Sequence, residues 1–130
     1  MDSGEFMYLQ SYKEFIVWQK SMDLAVEVYR LTENLPKTET YSLSDQMRRA
    51  AVSIPSNIAE GQGRNSTREF IKFLAIARGS RCELETQLQL CTRIGYLNED
   101  ETKTALNLCE EVSKMLNVLI KKLTATLDKN

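Results

Sequence analysis

A proline stands in the middle of the most regular helical pattern in this chain, between Arg48 and Arg64. Apolar residues recur there at steps of three and four, as they do along one face of an α-helix. Pro55 has no backbone N–H, and its ring crowds the carbonyl four residues earlier, so it kinks or breaks helices. The pattern nevertheless continues in phase beyond Pro55, which predicts one kinked helix and not two helices joined by a turn. The stripe consists of Leu43, Met47, Ala50, Ala51, Ile54, Ile58 and Gly61.

Polar residues complete this predicted helix. Ser42 is the expected N-cap, with Asp45 in the first turn, where the helix dipole favours a negative charge. Glycines 61 and 63 are the expected stop, because glycine readily adopts the left-handed conformation that closes a helix. The carbonyl that Pro55 leaves without a donor has three polar side chains near it. They belong to Ser53, Ser56 and Asn57.

Three more amphipathic segments flank this helix, and no strand pattern competes with them. The first covers about residues 11–35, the third 66–94 and the fourth 98–123. Capping-box spacing at Ser11 and again at Ser66 marks two of the starts, with a start a few residues after Ser11 as the alternative for the first helix. Four amphipathic helices with short connections predict an all-α fold, an antiparallel up-down-up-down four-helix bundle.

The domain organisation that follows is simple, because 130 residues suit one domain. We expect a flexible leader or partial expression scar at residues 1–10, the bundle domain at 11–125 and a C-terminal tail at 126–130.

Two of the predicted helices carry apolar residues on more than one line. The first helix has a stripe beside its Leu24, Val28, Leu31 and Leu35 line; that stripe is Trp18, Met22, Ala25 and Tyr29. The third helix has a second line around its cylinder, which suggests contact with two neighbours. This second line is Ile76, Leu90 and Ile94, and Gly79 near it is a place where another backbone can approach.

Composition places the chain among ordinary soluble proteins, with 42% hydrophobic and 27% charged residues and a net charge of −1. No apolar run approaches the roughly 20 residues of a membrane span, so we expect no membrane partner. Three cysteines without a C-x-x-C pair argue against a disulfide framework. We therefore predict buried free thiols and a cytoplasmic protein.

The sequence lacks the residues and motifs on which enzymes most often depend. It contains no histidine, which removes the commonest general acid–base and the Glu-x-x-His metal motif of bundle enzymes. No nucleotide-binding glycine motif occurs either; Gly61 to Arg64 is too short and follows no strand. We predict a non-enzymatic protein with no catalytic residues, metal, cofactor or small-molecule substrate. An enzyme would require a bound metal or cofactor.

Arginines are the one feature that resembles a binding site. Residues 42–94 hold seven of the eight arginines, and their net charge is +3. Three cations next to the N-terminus of the third helix form a cluster suited to phosphate, since free backbone N–H groups lie there too. Two interpretations stay open: nucleic-acid contacts, or solvated charges paired with nearby acids. The candidate nucleic-acid-binding residues are Arg48, Arg49, Arg64, Arg68, Lys72 and Arg78.

Arg81 differs from these six residues. Helical phase places it on the core side of the third helix, between Ala77 and Leu84. We predict an inward or interface arginine held by a glutamate, and not an RNA contact.

Several segments of the chain together resemble the bacterial four-helix bundle proteins, also called 23S rRNA intervening sequence proteins. The resemblance covers about residues 11–123, and its most specific part is the run Ser53-Ile54-Pro55-Ser56-Asn57-Ile58-Ala59-Glu60-Gly61. The other matching segments are Trp18-Gln19-Lys20, Tyr41 to Val52, Phe70 to Ser80 and Glu83 to Leu88.

This resemblance implies an up-down four-helix bundle that assembles as a homopentamer and binds RNA or other nucleic acid. The chain is also similar to the accessory protein of diversity-generating retroelements, a basic pentamer that works with a reverse transcriptase and RNA. It departs from that relative in being mildly acidic, with a net charge of −1. The first functional hypothesis is therefore an RNA-binding homo-oligomer, and the alternative is a protein-interaction scaffold with no nucleic-acid role.

Overall fold

The computed structural model describes residues 11–128, which form four α-helices. These are α1 (Ile16–Thr32), α2 (Leu43–Gly63), α3 (Thr67–Arg93) and α4 (Glu99–Asp128). Short 3-10 turns precede α1 at Tyr12–Glu14 and α2 at Lys37–Glu39. Residues 11–128 contain no strand, so the predicted all-α class is confirmed.

The helices pack as an antiparallel up-down-up-down bundle. Each helix packs against the next one in the chain, and α1 also packs against α4, which closes the ring of four. Short connections force consecutive helices to run in opposite directions. The interior is filled by side chains from all four helices, each of which stabilises the fold by about 1.5–3 kcal/mol when fully buried. Among the largest are Leu24, Ile54, Ile58, Phe70, Leu84, Leu88 and Leu116.

Pro55 lies inside one uninterrupted helix, as the pattern predicted. The polar residues around it bond differently from our expectation. The Asn57 amide donates to the Ser53 carbonyl at 2.7 Å and to the Ser53 hydroxyl at 2.9 Å. That carbonyl belongs to the residue two positions before the proline, and not to Ala51, which is four positions before it. The Ser53 hydroxyl also lies 2.8 Å from that of Ser80, so this cluster joins α2 to α3.

Gly61 serves close packing and does not stop the helix. A Cβ placed on Gly61 would lie 2.7 Å from the Phe73 Cβ and 3.2 Å from a Phe70 ring carbon. Neither Gly61 nor Gly63 has a positive φ; the residue that does is Asn65, at φ 53°, in the turn to α3. The helix ends at Gly63, within the predicted range, but the predicted left-handed conformation of the glycines is wrong, because Asn65 supplies that conformation.

Two of the three residues predicted to cap the N-termini of α2, α3 and α4 do so. Ser66 accepts a hydrogen bond from the Glu69 N–H at 3.3 Å and caps α3. Asn98 and Glu101 bond reciprocally at the start of α4, each side chain accepting from the other residue's backbone N–H. Ser42 occupies the N-cap position of α2 without capping it by its side chain.

Glu39 caps α2 in place of Ser42. Its carboxylate accepts from the Ser42 hydroxyl at 2.7 Å and from the Leu43 N–H at 3.2 Å, and also from the Tyr96 hydroxyl at 3.2 Å. The hydrogen bond from Ser42, followed by that from Leu43, lowers the pKa of Glu39 below its usual value. The side chain that caps this helix therefore comes from the preceding 3-10 turn, three residues before the expected one.

The first long helix starts a few residues after Ser11, which is the later of the two starts that the sequence left open. Ser11 accepts from the Lys13 N–H at 3.2 Å and caps the 3-10 turn, and α1 itself begins only at Ile16. The apolar stripe beside the core line of α1 faces partly outward. Met22 is 40% exposed and Tyr29 is 48% exposed, whereas Ala25 is buried.

Three apolar residues on the outer side of α3 are only partly buried. Ile76, Leu90 and Ile94 are each between 44% and 49% exposed, and apart from the adjoining backbone of its own helix no described atom lies within 4 Å of a Cβ placed on Gly79. The predicted contact of α3 with two neighbours is observed, since it packs against both α2 and α4, whereas this second line faces partly to solvent.

The cysteines agree with the prediction at two of three positions. All three thiols are free; Cys91 and Cys109 are buried and Cys82 is exposed. Burial raises the pKa of Cys109 to about 12, so this thiol stays protonated and unreactive at neutral pH.

At the C-terminal end, α4 continues to Asp128, through most of the predicted tail. The predicted leader at 1–10 and residues 129–130 lie outside the described residues. No helix between residues 11 and 128 is both long and apolar enough to cross a membrane.

Gly61→Ala is expected to destabilise the protein by about 1–3 kcal/mol, because the new methyl group overlaps Phe73 and forces α2 away from α3. Gly63→Ala is the matched control, since a Cβ there meets nothing within 4 Å. We expect the control to be neutral or slightly stabilising. Urea unfolding of both variants measures the difference; equal effects would show that α2 and α3 do not approach this closely.

Candidate nucleic-acid interface

Three of the predicted cations lie together at the turn between α2 and α3. Asn65 reverses the chain there and Ser66 caps α3, so Arg64 ends one helix while Arg68 and Lys72 occupy the first two turns of the next. All three cations are exposed to solvent. We call Arg64, Arg68 and Lys72 the turn cluster. Its position beside the N-terminus of α3 is favourable for an anion.

The members of the turn cluster differ in their partners. The Arg64 guanidinium pairs with Glu60 at 2.9 Å and lies 5.1 Å from the centre of the Phe73 ring. Arg68 and Lys72 form no ion pair with any residue between 11 and 128. An exposed pair such as Arg64–Glu60 is worth only about 0–1 kcal/mol, so Arg64 can exchange Glu60 for a phosphate.

Arg48 and Arg49 lie at the opposite end of α2 and have different environments. Arg48 is half-buried, and it donates to the Thr40 carbonyl at 3.1 Å and to the Thr32 hydroxyl at 3.4 Å. It therefore links α2 to the end of α1 and to the connection between the two helices. Arg49 is 80% exposed, and its Nε donates to Asp45 at 2.9 Å. Of this pair, Arg49 is the one placed to meet a ligand.

The six candidate residues therefore do not form one surface on a single chain. Arg49 and Arg64 are 15 positions apart on α2, which corresponds to about 22 Å along a helix. Arg78 lies beside α4, where it donates to the Asn117 side chain at 3.3 Å. The structure brings together the turn cluster, places Arg48 and Arg49 at the other end of α2, and separates Arg78 from both groups.

Arg81 has the environment that helical phase predicted. Its side chain is 15% exposed, and it pairs with Glu85 one turn later on α3. A second nitrogen lies 3.3 Å from the Cys82 sulfur, while the buried Nε has no hydrogen-bond partner among the described residues. Arg81 is thus an inward arginine held by a glutamate, and it is not available as a phosphate contact.

The structure places one aromatic residue beside the arginines that is not among the six predicted site residues. Tyr29 of α1 lies against the N-terminal half of α2, with the Arg48 guanidinium carbon 6.0 Å from the centre of its ring. The two residues are 19 positions apart, so no local pattern connects them. The one sequence signal for an accessible Tyr29 is its position on the stripe of α1 that faces partly outward.

The acidic side chains of the described residues do not form a metal site. Within residues 11–128, no three His, Cys, Asp or Glu side chains are grouped so that they can hold a metal ion.

These features define a class of protein: a small all-α bundle whose arginines lie mainly on α2 and α3. The chain belongs to the 23S rRNA-intervening sequence protein family, whose profile matches residues 13–118. A comparison with curated proteins finds no match. The family match over residues 13–118 confirms the resemblance that the Ser53–Gly61 run indicated.

A solved structure of the same shape supports this assignment. It is a crystal structure of a protein of unknown function from the S23 ribosomal protein family of Bacteroides thetaiotaomicron, and it is 31% identical to this chain. The TM-score is 0.76, and the alignment covers 82% of this chain and 99% of the other. Neither description assigns an enzymatic activity.

The contrast between Arg48 and Arg49 gives a direct test of their roles. Arg48→Ala is expected to destabilise the fold by about 1–2 kcal/mol, because it removes charged donors from the Thr40 carbonyl and the Thr32 hydroxyl. Arg49→Ala removes only an exposed ion pair and is expected to change stability by less than about 0.5 kcal/mol. Thermal and urea unfolding measure both. Equal stability of the two variants would contradict the structural role of Arg48.

Proposed function

We propose that this protein is a non-enzymatic, cytoplasmic homopentamer that binds RNA, including ribosomal RNA, through arginines of α2 and α3. The turn cluster is the observation that carries the proposal. It presents three exposed cations beside a helix N-terminus, and two of them have no ion-pair partner among residues 11–128. Phosphate oxygens match the arginine fork, and the positive end of the α3 helix dipole favours an anion at this place.

Assembly of several chains would turn a weak site into an effective one. The arginine-rich segment 42–94 has a net charge of only +3, and the whole chain has −1. Repeating the turn cluster in five subunits raises the local concentration of contacts once the first has bound RNA. The pentamer itself is what the family resemblance implies. The family's name, which refers to 23S rRNA, supports rRNA as the first ligand to test.

The state of the cysteines supports the proposed location. Three free thiols, two of them buried in the bundle, are typical of proteins in a reducing compartment. This is compatible with a cytoplasmic protein that meets ribosomal RNA.

Replacing Arg64, Arg68 and Lys72 together with Glu is expected to weaken binding to an rRNA fragment by more than tenfold. The physical reason is that each phosphate contact releases counterions, so the salt dependence of binding should also become shallower. Fluorescence anisotropy at several salt concentrations measures both the affinity and its slope.

The matched control carries the same change of charge at another place. Lys114, Lys121 and Lys122 are exposed cations of α4, and their replacement by Glu should reduce binding much less. Equal losses in both triple variants would indicate a general effect of net charge and would contradict the turn cluster as the site.

A protein-interaction scaffold is the second candidate, and the outer line of α3 is the observation that favours it. Ile76, Leu90 and Ile94 leave 44–49% of their surfaces exposed, and Gly79 offers a place where another backbone can approach. Exposed apolar side chains on one face often mark protein contacts. Capture of a partner that survives nuclease treatment and high salt would favour this function over RNA binding.

Gly79→Ala tests whether a second chain covers this face. On a helix face open to solvent, alanine should stabilise the fold by about 1 kcal/mol relative to glycine. Light scattering should give a mass near five times 14.9 kDa for the pentamer, with or without the substitution. Gln89→Ala, an exposed change on the same helix, is the control. A loss of stability or mass in Gly79→Ala alone would show that another copy of this chain packs against Gly79, so this face would be a contact between subunits and not a free surface for a partner protein.

A further inference from the structure

A shallow recess lies between α1 and α2, away from the turn cluster. Its volume is about 400 Å³, within the range of sites for small organic groups. The recess is lined by Tyr29, Asp45, Arg48, Arg49, Val52 and Ser53. It therefore combines an aromatic ring, an aliphatic side chain and two guanidinium groups.

The aromatic component is held in place and is accessible. Tyr29 leaves 48% of its surface exposed, and the Arg48 guanidinium lies 6.0 Å from the centre of its ring. Arg48 is itself fixed by the Thr40 carbonyl at 3.1 Å. Val52 is 42% exposed beside them and adds an apolar surface. Such a surface suits a flat, uncharged ring.

The charged component has free donors. Asp45 accepts from the Nε of Arg49 at 2.9 Å and so holds the base of the guanidinium. The two terminal nitrogens of Arg49 make no hydrogen bond with residues 11–128, and the side chain is 80% exposed. These nitrogens are the ones that bind phosphate as a fork.

We propose that this recess binds an unpaired base of single-stranded RNA, with Tyr29 stacking on the base and Arg49 contacting a neighbouring phosphate. The inference rests on the proposed RNA binding and specifies the form of RNA. In a duplex the bases are paired and stacked on one another, whereas unpaired bases are free to stack on aromatic side chains. The turn cluster, about 22 Å along α2 from Arg49, contacts the backbone of the same strand farther on.

The experiment compares an unstructured 12-nucleotide RNA with the same sequence in a blunt duplex, by fluorescence anisotropy with the full chain. We expect the single strand to bind at least tenfold more tightly. Tyr29→Leu should weaken single-strand binding about 5- to 150-fold, the range for loss of one stacked base. Tyr29→Phe should retain the affinity, because the ring and not the hydroxyl makes the contact.

The salt dependence of RNA binding distinguishes the roles of Tyr29 and Arg49. Tyr29→Leu should leave the slope of affinity against salt unchanged, since Tyr29 contacts no phosphate. Arg49→Gln should reduce the slope by about 0.7, the value for one phosphate of a single strand. Tyr41→Leu is the matched control, because Tyr41 is 94% exposed but lies outside the recess. It should bind RNA as the unchanged protein does.

The possible failures are distinguishable. If the unchanged protein binds neither RNA, the proposed function is wrong and this inference with it. If it binds duplex and single strand equally, and Tyr29→Leu has no effect, RNA binding stands and the base site is overturned. If Tyr29→Leu changes the mass measured by light scattering, the recess is a contact between subunits and the inference is wrong.

Discussion

The close contact of α2 with α3 at Gly61 is the constraint on which the rest of the bundle depends. A Cβ at Gly61 would lie 2.7 Å from the Phe73 Cβ, so the two helices come together where only a hydrogen atom fits. This contact fixes how α3 is aligned along α2. The same alignment brings the Ser53 hydroxyl within 2.8 Å of that of Ser80, two turns farther along. It also places Arg64 over the Phe73 ring, so the geometry of the turn cluster follows from the packing.

Features that depend on local sequence were predictable. The steps of three and four, continued through Pro55, gave the one long helix that is observed, and the buried side of that helix contains the expected Met47, Ile54 and Ile58. Capping signals identified the starts of α3 and α4 correctly. Features that depend on a neighbouring element were not predictable. Periodicity places Gly61 on the buried stripe but does not reveal how near another helix comes, so the close contact with Phe73 could not be predicted and the left-handed stop is wrong.

The same contrast between local and tertiary features applies to the candidate site. The turn cluster was recognised because its members are separated by four residues and lie beside one capped helix start. Arg48 and Arg49 are adjacent in sequence and were treated alike, yet tertiary contacts with Thr32 and Thr40 make Arg48 a structural residue. Tyr29 was missed as part of a site because it comes from another helix. A binding surface that crosses two helices becomes visible only when their packing is known.

Net charge and local charge have different consequences for this protein. Exposed arginines such as Arg49 and Arg64 pair with acids one turn away on the same helix, at 2.9 Å in both cases. Pairs of this kind contribute about 0–1 kcal/mol, so a phosphate can displace the acid at little cost. The acids nevertheless reduce the long-range attraction that makes basic proteins bind any nucleic acid. Under the proposed function, such a mildly acidic chain with a few exchangeable arginines is expected to bind RNA weakly at each subunit and to depend on contacts other than charge for selectivity.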